Sequence, residues 1–502
     1  MKRTIEELTQ YSKRNWPWLL AAGFLIRFAY KVIAISISFP NLFRLAELLA
    51  PSRPLFILPL YITLAAAVWR LVIRQPRQRN FLIKRLGEFA RANWPGFMIA
   101  IIFFAIYIVL AAVFNRSDFN NNNVFFAADT HQWKLRLADP GGSAMEMRAV
   151  HPLAFLLLRP LAFAVSLATG ADFFNSVIFL LAVIGGLSVF LIWAFIQDTV
   201  GSVNHTFLFA SIFGISTAEL MFNTITETYI FSGFLLALFF VLLQKGAGFF
   251  WLMLTGVGVF GITISNLVQV LIGAFLSDLR LRRTLLIAVT VVLASAGLSL
   301  VNKAIYLSSG LFFNPPDYAV ESLHYFEARE NYSWAQRAKL VASDIFLFSV
   351  IAPQPYLQNH NKDERGEFPK FNFMQGVRLS QFVGTGRIAI WVWLGILGLS
   401  ITLLGTSLKQ QGLSILNRLT LAFLVCLAFN FAFHLFYGFE PFLYSANWTY
   451  ALVLFVALCL RSLAYNKWLQ ITLLILLALL TLNNLSFLYS LMNGISPYIL
   501  GQ

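Results

Sequence analysis

Runs of roughly 17–25 apolar residues alternate with short polar or basic segments along most of the chain. At about 1.5 Å per residue, each run can cross a hydrocarbon core of about 30 Å. The short alternating segments of a β-barrel are absent. In order, the pattern predicts apolar segments at Pro17–Phe39, Arg53–Ile73, Pro95–Phe114, Phe173–Ile196, Val203–Phe222 and Tyr229–Leu243. A helix pair, Phe249–Thr263 and Leu267–Ser277, turns near Ser265 and Asn266, and Leu285–Val301, Ile388–Thr406, Leu416–Tyr437, Leu443–Leu460 and Trp468–Leu488 follow. Pro152–Gly170 is short and broken by Arg159 and Pro160, so it reads as helices at, or dipping into, one membrane face. Arg27 and Lys31 interrupt Pro17–Phe39 and make a lipid-exposed span costly, leaving open a packed span and an interfacial helix. The pattern as a whole predicts an all-α polytopic membrane protein of roughly twelve or thirteen membrane segments.

Two polar stretches interrupt this plan. Asn115–His151 is an island holding Asp129, His131, Asp139, Glu146, Arg148 and His151. Asn302–Thr385 is longer, mixed in charge and rich in Tyr and Asn, as a folded external subdomain would be. The chain divides accordingly. Residues 1–94 hold a tail, two apolar segments and a basic loop. Residues 95–301 form a transmembrane core with external loop 115–151, 302–385 the second external region, and 386–502 the last membrane helices.

Composition supports the class: 59% of the 502 residues are apolar and 12% charged, against about 45–50% apolar in soluble domains. The net charge of +15 does not indicate nucleic acid, because the basic residues gather in short loops rather than in a stripe with interleaved aromatics. The strongest such loop carries Arg70, Arg74, Arg77, Arg79, Lys84, Arg85 and Arg91. By the positive-inside rule it is cytoplasmic, which sends Pro95–Phe114 outward and places 115–151 outside. Cys426 and Cys459 lie in apolar runs and read as packed thiols. The first residues, MKRTIEELTQYSKRNW, read as a cytoplasmic tail rather than a cleaved signal. No Walker A loop, His-Glu-x-x-His or Gly-x-Ser-x-Gly occurs.

Candidate chemistry concentrates at the predicted outer boundary. Asp129, in FFAADTHQW, can accept a proton or, with His131, hold a metal. Arg148 and His151, in MRAVHPL, stand where cations suit a lipid-linked phosphate, though interface snorkelling would also explain Arg148. Glu227 opens a span in FNTITETYIFSGF and is a functional candidate or a helix-start acid. HLFYGFEPFLYSANW gathers His434, Glu440, Tyr444, Asn447 and Trp448.

This order of features resembles the GT-C superfamily of integral-membrane glycosyltransferases, near the protein mannosyltransferase and aminoarabinose transferase type. The likeness covers Pro95 to Val301: an outward span, an external loop with an acid (Asp129), a His-Pro-Leu stretch (His151, Pro152, Leu153) before short outer helices, a later acid (Glu227) opening a span, and a helix pair ending in arginines. The first loop lacks the adjacent Asp-Glu pair common in that superfamily, and two apolar segments precede the core. The resemblance implies transfer of a sugar from a polyprenyl-phosphate donor to a glycan, lipid or protein acceptor on the extracytoplasmic face, and the short tails and missing retention signals lead to the expectation of a bacterial inner membrane. The resemblance makes Asp129 the general base and Glu227 the orienting acid. Arg148 and His151 become candidates for holding the donor phosphate; His131, Glu440 and Tyr444 stand beside them as candidate substrate contacts read from the residues themselves, and a divalent metal at Asp129 and His131 is left open. The alternatives are a transporter or flippase of lipid-linked glycans, which needs charges lining a midplane route, and a membrane acyltransferase using His151 or His434.

Overall fold

The structure is a computed structural model that describes residues 2–49, 76–116, 119, 123–138, 147–327, 332–354, 356–359, 369–372 and 381–498. The predicted segment Arg53–Ile73 and the acids Asp139 and Glu146 lie outside the described residues. The helices are α1 (Lys2–Ser38), α2 (Leu45–Leu49), α3 (Pro76–Phe114), α4 (Thr130–Ala138), α5 (Ala154–Thr169), α6 (Phe173–Val200), α7 (Val203–Ile215), α8 (Thr217–Phe222) and α9 (Tyr229–Gln244). They continue with α10 (Phe249–Ile262), α11 (Leu267–Asp278), α12 (Leu281–Ile305), α13 (Pro315–Tyr318), α14 (Trp334–Ser343), α15 (Thr385–Gln411), α16 (Ile415–Phe436), α17 (Ala446–Cys459) and α18 (Lys467–Ile495). One antiparallel ladder, β1 (Tyr356–Asn359) against β2 (Pro369–Asn372), pairs Tyr356 with Asn372.

Eight helices among the described residues are long and apolar enough to cross a membrane, and five more apolar helices are shorter. The protein is therefore a multi-pass, all-α integral membrane protein. Among the most interior helices are α7 and α17. Every residue of α17 is buried, and α7 is buried from Asn204 to Ile215, as expected for helices apolar on all sides. Around them, α6 packs on α3 and α9, α16 on α17 and α11, and α18 on α15, α7 and α1. Within α1, Trp18, Ala21, Ala22, Leu25, Phe28 and Val32 form the buried face, while Arg27 and Lys31 project from the exposed one. That segment is a continuous helix with a span at Asn15–Ser38.

Helix breaks inside the bundle have their backbone groups satisfied by protein, the condition for irregular chain at membrane depth. Between α7 and α8, Asn484 Nδ2 donates to Ile215 O at 2.6 Å, and Ala218 N–H donates to Ser349 O at 3.1 Å. The second polar stretch reaches this break: α14 runs into a π-helical turn, Asp344–Phe348, and Ile345, Phe348, Val350 and Ile351 are fully buried. Ser349 Oγ accepts the Trp448 indole N–H at 2.7 Å.

The bundle has a basic end and an opposite end. Lys245, Arg280, Arg282, Arg283, Lys409, Arg461 and Lys467 lie at the first, where α9, α11, α15 and α17 finish and α12 and α18 begin. At the other meet the ends of α3, α10, α12 and α16 and the starts of α9, α11, α15 and α17.

Candidate functional site

The residues singled out in the sequence gather at this second end. Phe126 N–H donates to Phe371 O at 2.8 Å, and Phe371 N–H donates to Val124 O at 2.9 Å, so β2 clamps the chain just before Asp129. Phe126 and Ala127 both have positive φ, 51° and 55°, a conformation costing non-glycine residues about 1–3 kcal/mol each. The turn brings Asp129 to the start of α4, where its carbonyl accepts Trp133 N–H at 2.9 Å. Asn123 Oδ1 accepts from Thr130 Oγ1 at 3.1 Å and from His131 N–H at 3.0 Å, fixing the same corner.

Asp129 meets Glu227 here. The Asp129 N–H donates to Glu227 Oε2 at 3.3 Å, while Thr228 donates its N–H at 2.7 Å and its hydroxyl at 3.2 Å to Oε1. Glu227 is 1% exposed and Asp129 half-buried. Burial first, and the Asp129 charge second, push the Glu227 carboxyl up to about 8, against those hydrogen bonds. The pair thus joins a carboxyl that holds its proton to a partly solvated one, an asymmetry suited to acid–base work.

Arg148 and His151 enter through a loop stitched to the α10–α11 break. Leu153 N–H donates to Gly261 O at 2.8 Å, and Ile264 N–H donates to Val150 O at 3.2 Å. His151 Nδ1 lies 2.6 Å from Ile262 O, and Trp133 packs edge-on to its ring at 5.3 Å. Burial first, then Arg148, push the imidazole down to about 3, so it is neutral. Arg148 grips a carboxylate of its own chain. Its Nε donates to Glu321 Oε1 at 2.8 Å and its Nη2 to Glu321 Oε2, while Nη2 also donates to the Tyr437 hydroxyl at 2.9 Å. Tyr437 in turn donates to Glu321 Oε2 at 2.7 Å. Burial opposes ionisation of Glu321, but Arg148 and Tyr437 together hold its carboxyl below the usual range.

These groups border a cavity of about 450 Å³ lined by His151, Tyr229, Thr263, Ser265, Asn266, Tyr318, Glu321, Tyr325, Asn430, His434, Tyr437, Tyr444 and Asn447, with Phe260, Phe312 and Phe433 among its apolar walls. Tyr229 and Tyr444 stack edge-to-face at 4.8 Å, and Tyr444 lies 4.5 Å from the His434 ring. A glycine brings the two tyrosines together: a Cβ on Gly233 would stand 2.5 Å from Ala446 O, so α9 and the start of α17 touch backbone to backbone. Asp129 and Glu227 are not lining residues, but burial first, opposed by Arg148 and the Tyr229 hydrogen bond and reinforced by Asp129, places the Tyr444 phenol at about 12. A second cleft of about 260 Å³, lined by Arg44, Glu47, Asn115, Arg116 and Asp172, lies outside this cluster.

Not every sequence candidate joins the cavity. Glu440 is 2% exposed and is an electrostatic neighbour of Asp344 rather than a lining residue. His131 is half-buried on α4. No three His, Cys, Asp or Glu residues gather as a metal site among the described residues, so Asp129 and His131 gain no third ligand there. Sequence reasoning missed Glu321, Tyr437 and Arg337. Arg337 is fully buried and donates to the carbonyls of His434, Tyr437, Gly438 and Phe439, shaping the turn that leads to Tyr444. Its sequence signal, one arginine in a short helix of mixed polarity, resembles an ordinary surface cation.

Comparison with known proteins finds no matching family model, no matching curated protein and no matching solved structure.

Proposed function

We propose that this protein is a membrane glycosyltransferase that moves a sugar from a polyprenyl-phosphate donor to a glycan, lipid or protein acceptor. The observation that carries the reading is the hydrogen-bonded Asp129–Glu227 pair beside a cavity walled by tyrosines and amides. Asp129, the more exposed carboxyl, takes the acceptor proton, and Glu227 orients Asp129 through its backbone N–H. The positive-inside rule makes the basic end cytoplasmic, so this site faces outward, where a lipid-linked donor replaces nucleotide sugars. A bacterial inner membrane fits that placement. Arg148 would reach a donor phosphate only by releasing Glu321, so its first role is to hold the cavity wall.

Asp129→Asn keeps the hydrogen bond given by the backbone and removes the base. Transfer should fall by about 100- to 10,000-fold while donor binding persists; wild-type turnover would remove Asp129 from the mechanism.

One observation favours a second reading, a transporter of lipid-linked glycans. Polar contacts continue from the cavity floor into the bundle, with Asn266 Nδ2 donating to Asn447 Oδ1 at 2.8 Å, Gln269 Nε2 to Asn266 Oδ1 at 2.8 Å, and Tyr450 to Gln269 Oε1 at 2.9 Å. Reconstituted protein that moves donor lipid between leaflets without any transfer product would favour it.

A further inference from the structure

The cavity wall combines aromatic faces, unsatisfied polar atoms and no net charge. The rings of Tyr229, Tyr325, Tyr437 and Tyr444 line it, offering apolar faces edged by hydroxyls, the counterpart of a sugar ring with C–H faces and a hydroxyl rim. Several lining groups lack a protein partner. Thr263 Oγ1 is buried and makes no hydrogen bond. Asn430 gives its Nδ2 to Cys426 O, leaving Oδ1 over, and Asn447 receives Asn266 at Oδ1, leaving Nδ2 over. A buried polar atom is nearly always satisfied, so the unpartnered Thr263 Oγ1, beside amide atoms of Asn430 and Asn447 that make no protein hydrogen bond, points to an occupant that supplies donors and acceptors.

Charge decides what kind. Glu321 is the one carboxyl on the wall among the described residues, and it is already matched by two Arg148 nitrogens and the Tyr437 hydroxyl. Among the described residues no lysine or arginine lines the cavity, and burial keeps His151 uncharged. A carboxylate or ammonium brought in on a ligand would meet no unmatched charge among the described lining residues, Asp129 standing outside the wall, and burying an unpaired charge is strongly unfavourable. The volume, about 450 Å³, falls in the range of small-molecule sites.

We infer that this cavity takes an uncharged, polyhydroxylated ring, a neutral sugar rather than a uronic acid or an amino sugar. The inference rests on the glycosyl-transfer reading and narrows it. Neutrality is set by pairing: Arg148 cancels Glu321, and the remaining contacts are made by amides and hydroxyls.

The test uses the full chain in nanodiscs and measures binding of short-chain polyprenyl phosphates carrying glucose, glucuronic acid or glucosamine, with bare polyprenyl phosphate as reference. The glucose lipid should bind about tenfold or more tightly than either charged one, a difference of about 1.4 kcal/mol. Asn447→Asp keeps the oxygen that receives Asn266 and adds a carboxylate to the wall, so it should raise glucosamine-lipid affinity relative to glucose by about tenfold. Ser265→Asp, at a half-buried turn position on the same wall, should shift the ranking the same way if Asn447→Asp does not fold. Equal binding of the three lipids, tighter binding of a charged one, or an unchanged ranking in the folded variant overturns neutral selectivity alone. If no sugar-bearing lipid binds better than bare polyprenyl phosphate, the glycosyl-transfer reading fails and this inference fails with it.

Discussion

Glu227→Gln should change how stability depends on pH, and the size of the effect follows from the site. The Glu227 carboxyl is raised from an ordinary value of 4.5 to about 8, first by burial and then by Asp129. Below pH 4.5 folded and unfolded chains both carry the proton, and the fold's preference for the protonated form is fully present. Between 4.5 and 8 the unfolded chain releases that proton while the fold retains it, so stability falls as pH rises. Above 8 both forms are ionised and the loss levels off. From pH 5.5 to 8.5 this one group should withdraw about 3 kcal/mol, at about 1.4 kcal/mol per pH unit over most of that window.

Glutamine keeps an oxygen for Thr228 and cannot titrate. Thermal unfolding in nanodiscs at the two pH values should therefore show wild type losing more stability than Glu227→Gln between pH 5.5 and 8.5. Asp129→Asn should also flatten the wild-type slope, because removing the neighbouring negative charge lowers the Glu227 value. If Glu227→Gln follows the wild-type slope, the carboxyl is already ionised in the fold at neutral pH. The division into a proton-holding acid and a free base would then collapse.

Other perturbations reach different parts of the molecule. Arg148→Met should cost about 3–5 kcal/mol by leaving Glu321 buried and unmatched, whereas Arg148→Met with Glu321→Leu should recover most of that loss; a double-mutant cycle on unfolding free energy measures the coupling, and additive losses would refute it. Gly233→Ala places a methyl against Ala446 O and should destabilise by about 1–3 kcal/mol while weakening donor binding; an unaltered melting curve would show that α9 moves aside freely. A cysteine at Lys245 or Arg282, in a background lacking Cys426 and Cys459, should react with impermeant thiol reagents only from the cytoplasm, and labelling from outside would reverse the assigned sidedness.

The apolar pattern made the class and most of the helices legible, because runs of that length have one economical structure in lipid. The turn between α10 and α11 could be read from Thr263 to Asn266, where polar residues interrupt two short apolar runs. What the pattern could not show is which polar residue answers which. Glu227 and Asp129 stood out separately, yet the bond joining them spans 98 positions. Asn484, inside the last helix, closes the carbonyl of Ile215 from 269 positions away. Asn266, Gln269, Asn447 and Tyr450 each look like a tolerable polar residue in an apolar run, and only hydrogen bonds between distant segments turn them into a network.

Arg148 shows why this matters for function. Read alone, a cation at the membrane boundary beside a histidine suggests a phosphate contact. Its partner Glu321 lies 173 positions on, in a polar stretch with no motif, and pairing changes the meaning of both residues. An unpaired Arg148 would make the cavity attract anions, and an unpaired Glu321 would make it attract cations. Together they make it indifferent to charge, leaving selection to tyrosine faces and unsatisfied amides. Where only 12% of residues are charged, each charge acts through its partner, so specificity is written in contacts between distant segments.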